Sequence, residues 1–140
     1  MNSQPDRARR PDRSDRASPP PAGRPDSDPG ASLQSCIDLC SRCADVCTQT
    51  MVGCLGKGAE HAQADHIRLL ADCADICRTS AAFMARGSPL HPSICRACAE
   101  VCARCAESCE RIGPGDPDMQ ACARSCRACA ESCAQMAATD

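Results

Sequence analysis

The sequence predicts an all-α protein: an antiparallel up-down four-helix bundle with a cysteine-lined core, preceded by a disordered N-terminal tail. Three observations carry this reading. Sixteen of the 140 residues are cysteine, and in four segments they recur at gaps of three and four, the spacing that keeps side chains on one helix face. Glycine and proline separate the segments, at Gly56 and Gly58, at Gly87, Pro89 and Pro92, and at Gly113-Pro114-Gly115. Phe83 is the one aromatic residue, so the core lacks the largest burial contributions and sulfur must fill its middle.

Residues 1–31 hold seven of the eleven prolines, six arginines and five aspartates. So little apolar surface cannot offset chain entropy, and a solvated, disordered tail is expected there, with the bundle over 32–140. The first helix is expected from Ser32, a candidate N-cap, to Leu55, with Gly56 and Gly58 ending it. Its stripe is Cys36, Cys40, Cys43, Cys47 and Cys54, and Met51 bridges the one long gap with another sulfur.

The second helix should span Glu60 to Arg86 and stop at Gly87. Its stripe reads His66, Leu70, Cys73, Cys77, then Ser80 or Ala81, then Met84, with Leu69 and Phe83 flanking it. His61 has no stripe position and is expected in solvent. Pro92 suits the first turn of the third helix, where His91 heads a stripe of Cys95, Cys98, Cys102, Cys105 and Cys109 that ends near Ile112. Glu100/Arg104 and Glu107/Arg111 supply i,i+4 pairs on its other faces. Asp116-Pro117 reads as N-cap plus first-turn proline for a fourth helix carrying Met119, Cys122, Cys126, Cys129, Cys133 and Met136. The third helix's CRACAEVC (95–102) recurs as CRACAESC (126–133), a sign of related helices in one bundle. Helices of about 30–40 Å joined by short connections give antiparallel neighbours.

Several function classes drop out. A net charge of −2 implies no preference for nucleic acid or an anionic membrane, and no stretch approaches the roughly eighteen apolar residues of a membrane span. The N-terminus shows no apolar run of a secretory signal, and Pro11 and charges follow Arg9-Arg10, unlike a twin-arginine signal. The expected compartment is the cytoplasm, where thiols stay reduced and free to bind metal. Disulfide scaffolds are loop-rich, whereas these cysteines keep helical register.

Cysteine also serves as a small core hydrophobe, but Ala, Leu or Val would pack the same seam without an oxidation hazard. Metal is the better explanation, and charge selects which. Zn²⁺ in Cys₄ sites would place about four ions of net charge −2 each along a seam that carries no Lys or Arg. Burying such charge costs several kcal/mol per ion. Cu(I) is soft, takes two or three thiolates and shares them between ions, so a ratio near one ion per thiolate leaves the core close to neutral. The i,i+4 pairs 36/40, 43/47, 73/77, 98/102, 105/109, 122/126 and 129/133 can each hold one ion, linked by their neighbours into an array. A general thiol buffer for Zn²⁺ or toxic soft metals is the alternative, as is a helical interaction module. Ferredoxin-type clusters need a CxxCxxC loop closed by Cys-Pro, which is absent here. Buried cysteines with no His or acid beside them are inert, so an enzyme is not expected.

At CIDLCSRCADVC (36–47), HIRLLADCADIC (66–77), CRACAEVCARCAESC (95–109) and CARSCRACAESC (122–133) the chain resembles the cysteine-rich four-helix-bundle copper storage proteins, in their cytosolic branch. The resemblance covers residues 32–140. It implies storage or detoxification of multiple Cu(I) ions inside the bundle, commonly in a homo-oligomer, a tetramer, with copper chaperones as candidate partners. It also implies metal entrance at the end bearing Met51, His61, His66 and Met119. Members of that family often carry cysteine where this chain has His66 and Leu70. The expected metal ligands are therefore the sixteen cysteines together with Met51, His66 and Met119.

Overall fold

The computed structural model describes residues 29–138. It contains α1 (Pro29–Lys57), a 3-10 turn (Ala59–Ala62), α2 (Ala64–Ala85), α3 (His91–Ile112) and α4 (Pro117–Ala137), with no strand among the described residues. Residues 1–28 of the expected tail (1–31) lie outside the described residues, and its last three fall in α1.

α1 starts three residues before the expected Ser32, with Pro29 in its first turn, where a missing N–H costs nothing. It also runs past Gly56 to Lys57. A helical glycine costs only about 1 kcal/mol relative to alanine, too little to stop a helix anchored by a buried stripe. The chain turns at Gly58, φ 74°, and Ala59 follows it into the left-handed region at φ 52°. Gln63 then adopts extended backbone (φ −63°, ψ 143°), which detaches Ala59–Ala62 from the second helix, so that helix begins at Ala64 rather than Glu60.

α2 ends as expected. Gly87 takes φ 67°, its N–H reaches the Met84 carbonyl at 3.1 Å, and the Ser88 N–H reaches Phe83 at 3.0 Å. This double closure satisfies two end carbonyls. Pro92 sits in the first turn of α3. Asp116 caps α4, its carboxylate accepting from the Asp118 N–H at 2.9 Å.

Each helix packs on two others in a closed ring, α1 on α2, α2 on α3, α3 on α4 and α4 back on α1, the last two pressed together least. The single core at its centre is cysteine with Leu70, Met84, Met119 and a few alanines. Outside, Arg104 and Glu100 pair at 3.1 Å. Glu107 and Arg111 make no such pair among the described residues. Glu110 instead reaches across to Arg127 of α4 at 2.8 Å. No helix among the described residues is long and apolar enough to cross a membrane.

Candidate metal centre

All sixteen thiols are free, and none is more than 1% exposed. The register explains this, because every gap of three or four returns a sulfur to the face that meets the other three helices.

The shortest sulfur contacts run between helices more than along them. Cys40 Sγ lies 3.4 Å from Cys133 and 3.6 Å from Cys129. Cys77 Sγ is 3.5 Å from Cys102, 3.7 Å from Cys98 and 3.7 Å from Cys129. Cys47 and Cys126 meet at 3.6 Å, as do Cys73 and Cys102. Within a helix, Cys43–Cys47 lie at 3.9 Å and Cys98–Cys102 at 3.8 Å, and pairs such as Cys36/Cys40 and Cys105/Cys109 also interact. The stripes therefore interdigitate, which one-helix pairs alone did not reveal. Toward one end the network continues through Cys105, Cys109 and Cys122, and toward the other through Cys36, Cys95 and Cys133.

Four groups of four thiols have all their sulfurs within 4.8 Å of one another: Cys40/Cys98/Cys129/Cys133, Cys43/Cys73/Cys77/Cys102, Cys43/Cys47/Cys73/Cys126 and Cys77/Cys98/Cys102/Cys129. A Zn–S bond of about 2.3 Å puts tetrahedral sulfurs about 3.8 Å apart, so any one group suits a Cys₄ ion. The set does not. Six cysteines belong to two groups each, and no more than two groups can be filled without sharing a thiol. Filling the core requires bridging thiolates, the chemistry of a soft, low-coordinate ion.

Metal-free, the thiols act as both donors and acceptors. Cys77, with Cys102 as its strongest neighbour, is held protonated, whereas hydrogen bonds from Cys102 and Cys133 bring Cys129 down to about 7. Burial raises the Cys54 thiol.

The remaining expected residues sit at one pole. Cys54 Sγ is 3.5 Å from His66 Nε2 and donates to Met119 Sδ at 3.5 Å. His66 and Met119 are buried, and burial holds the imidazole below its usual pKa, so the neutral ring is favoured. Met51 is different: it is half-buried and packs on the margin of the core. His61 is not left to solvent; its Nε2 lies 3.4 Å from Asp116 Oδ2, beside the Lys57–Asp116 ion pair. These contacts tie the end of α1 to the start of α4 over the pole.

Sequence reasoning missed Ser108. It is buried, and its Oγ is 2.8 Å from His66 Nδ1. When the hydroxyl accepts from Nδ1–H, the Nε2 lone pair faces Cys54, the arrangement that orients a metal-binding imidazole. Ser108 lies three after Cys105 and one before Cys109, so the same spacing could have flagged it.

Leu70, fully buried on α2 between His66 and Cys73, interrupts the donors. Leu70→Cys should raise Cu(I) capacity by about one ion and destabilise the metal-free bundle by roughly 1–3 kcal/mol. Metal counting and alkylation of the loaded protein check this. Unchanged capacity with an alkylatable new thiol would place Leu70 off the array.

A sequence profile of the copper storage protein family matches residues 30–138. The chain is 39% identical over 68 residues to an uncharacterized cysteine-rich protein, YhjQ, of Bacillus subtilis, a match spanning 49% of this chain and 63% of that protein. The fold is similar to a Cu(I)-bound copper storage protein, BsCsp3, of Bacillus subtilis (TM-score 0.71, 36% identity, 76% of this chain and 99% of that one). It is also similar to a cytosolic copper storage protein from Streptomyces lividans with five coppers (TM-score 0.72, 32% identity, 78% of this chain and 94% of that one).

Proposed function

We infer that this chain, which belongs to the copper storage protein family, stores multiple Cu(I) ions on the thiolates of its bundle core for copper homeostasis or detoxification. The observation that carries the reading is the sharing of thiols among the four-sulfur groups. A shared thiolate is wasted on isolated tetrahedral ions and suits a bridged cuprous array. The sixteen cysteines are the proposed ligands of the array. His66 and Met119 complete a weaker site with Cys54 at the pole, and Met51 marks its rim.

The proposed role is storage rather than catalysis, in keeping with the copper storage family whose profile the chain matches. The proposed compartment is the cytoplasm, by likeness to the Streptomyces protein, and the proposed partners are copper chaperones and further copies of this chain. Residues 1–31 contain no soft donor except Met1, so the proposed tail takes no share in capacity.

Proton release tests the mode of binding. Metal binds thiolate and displaces the thiol protons that remain, so loading strengthens as pH rises and weakens as pH falls. A bridged array near one ion per thiolate should release about one proton per copper, whereas separate Cys₄ sites release about four per ion. Titration in weak buffer with a pH-sensitive dye reads the ratio. About four protons per ion would reject the array.

A further inference from the structure

Cu(I) on thiolates moves by ligand exchange, the incoming sulfur binding before the outgoing one leaves, so a donor must bring its sulfur to one of this chain's. All sixteen thiols are buried. A cavity of about 330 Å³ nevertheless opens between the C-terminal half of α1 and the first turn of α4, and buried Cys54 and Met119 are part of its lining. It exists because α1 and α4 are the least closely packed neighbours and because Gly53 in its wall has no side chain. A Cβ there would meet nothing within 4 Å. Two other surface cavities, one around Arg124 and Arg127 and one around Arg96 and Ala134, have no sulfur in their walls.

We propose that this groove docks a small peptidic thiol carrying Cu(I), which hands its ion to Cys54. The proposal rests on the storage reading and names the donor for the same core. The volume falls in the range of small-molecule sites and is too narrow for the body of a folded protein. Its rim carries the exposed carboxylate of Asp118, the amide of Gln49 and Lys57, whose Nζ is already paired with Asp116. Asp118 complements the ammonium end of such a ligand, and the Gln49 amide can donate to its carboxylate. In the transfer, a bis-thiolate complex [Cu(SR)₂]⁻ exchanges one RS–Cu bond for a Cys54 S–Cu bond. The Cys54 thiol proton leaves on the departing thiol as RSH. Met119 Sδ or His66 Nε2, each 3.5 Å from Cys54 Sγ, then displaces the second RS⁻, which takes a proton from water. Copper stays cuprous throughout.

The test is the loading rate of the reduced full chain from Cu(I) in excess glutathione. Gly53→Leu fills the groove. Gly56→Leu makes the same change where a Cβ also meets nothing within 4 Å and outside the groove lining. Gly53→Leu should load at least about ten-fold more slowly to the same final capacity, and Gly56→Leu at the parental rate. An unchanged rate in Gly53→Leu, or equal slowing in both variants, overturns the proposal. Slowing from a copper-loaded protein donor but not from the glutathione complex also overturns it and makes the groove a protein dock. A parental chain that takes up no copper would remove the storage reading first, and the groove's role with it.

Discussion

Loading the core with copper is expected to raise the unfolding midpoint of the reduced protein by more than about 20 °C. A ligand that binds the native state at about 100 times its Kd contributes about 2.7 kcal/mol per site. For a bundle of this size each kcal/mol moves the midpoint by about 4 °C or more. Two such ions already suffice, and the bridged groups hold more. The unfolded chain's thiols also bind copper, which lowers the gain per ion. They lack, however, the cross-helix contacts of 3.4–3.9 Å that let one ion join helices, such as Cys40–Cys133 and Cys47–Cys122. The metal-free bundle should still be helical, because neutral thiols pack as small apolar groups beside Leu70 and Met84. Anaerobic thermal circular dichroism, with and without Cu(I), decides both points. A metal-free coil, or coincident midpoints, would contradict the account.

Replacing Cys43 and Cys129 together should remove more copper than replacing two other cysteines. Cys43 belongs to two of the four-thiol groups and Cys129 to the other two, so Cys43→Ala with Cys129→Ala breaks all four. Each is a bridging position: Cys43 lies 3.8 Å from Cys126 and 3.9 Å from Cys73, and Cys129 contacts Cys40 and Cys77. The expected loss is roughly three to four ions. Cys36→Ala with Cys109→Ala, near the two ends and in none of the groups, should lose about two. Each alanine leaves a small cavity worth about 1 kcal/mol, so both doubles remain folded. Metal counting after removal of loosely bound copper gives the comparison. Equal losses would mean that the thiols act independently.

The placement of the cysteines in one buried seam was legible because cysteine spacing is a direct report of helix register. Once gaps of three and four placed sulfur on one face of each helix, the only compact answer was four stripes facing inward, as Cys36 to Cys133 show. What stayed hidden depends on three dimensions. Gly56 reads as a helix stop, yet the buried stripe carries α1 through it to Lys57. The turn at Ala59–Ala62 is set off by left-handed backbone at Gly58 and Ala59 on one side and extended backbone at Gln63 on the other, which composition does not signal at an alanine or a glutamine. His61 looked solvated because its partner, Asp116, is 55 residues away in sequence (116 minus 61) and meets it only when α4 folds against α1. The interleaving of the stripes, and with it the sharing of Cys73, Cys77 and Cys102 between groups, depends on axial offsets between helices that no single-helix spacing encodes.

Anaerobic titration of the reduced protein with Cu(I), followed by competition with Zn²⁺, distinguishes a shared cuprous array from a row of separate ions. A shared array saturates well above four ions per chain, approaching about one Cu(I) per thiolate, with Zn²⁺ unable to displace the bound copper. Saturation near four ions, with Zn²⁺ held against added Cu(I), would contradict it.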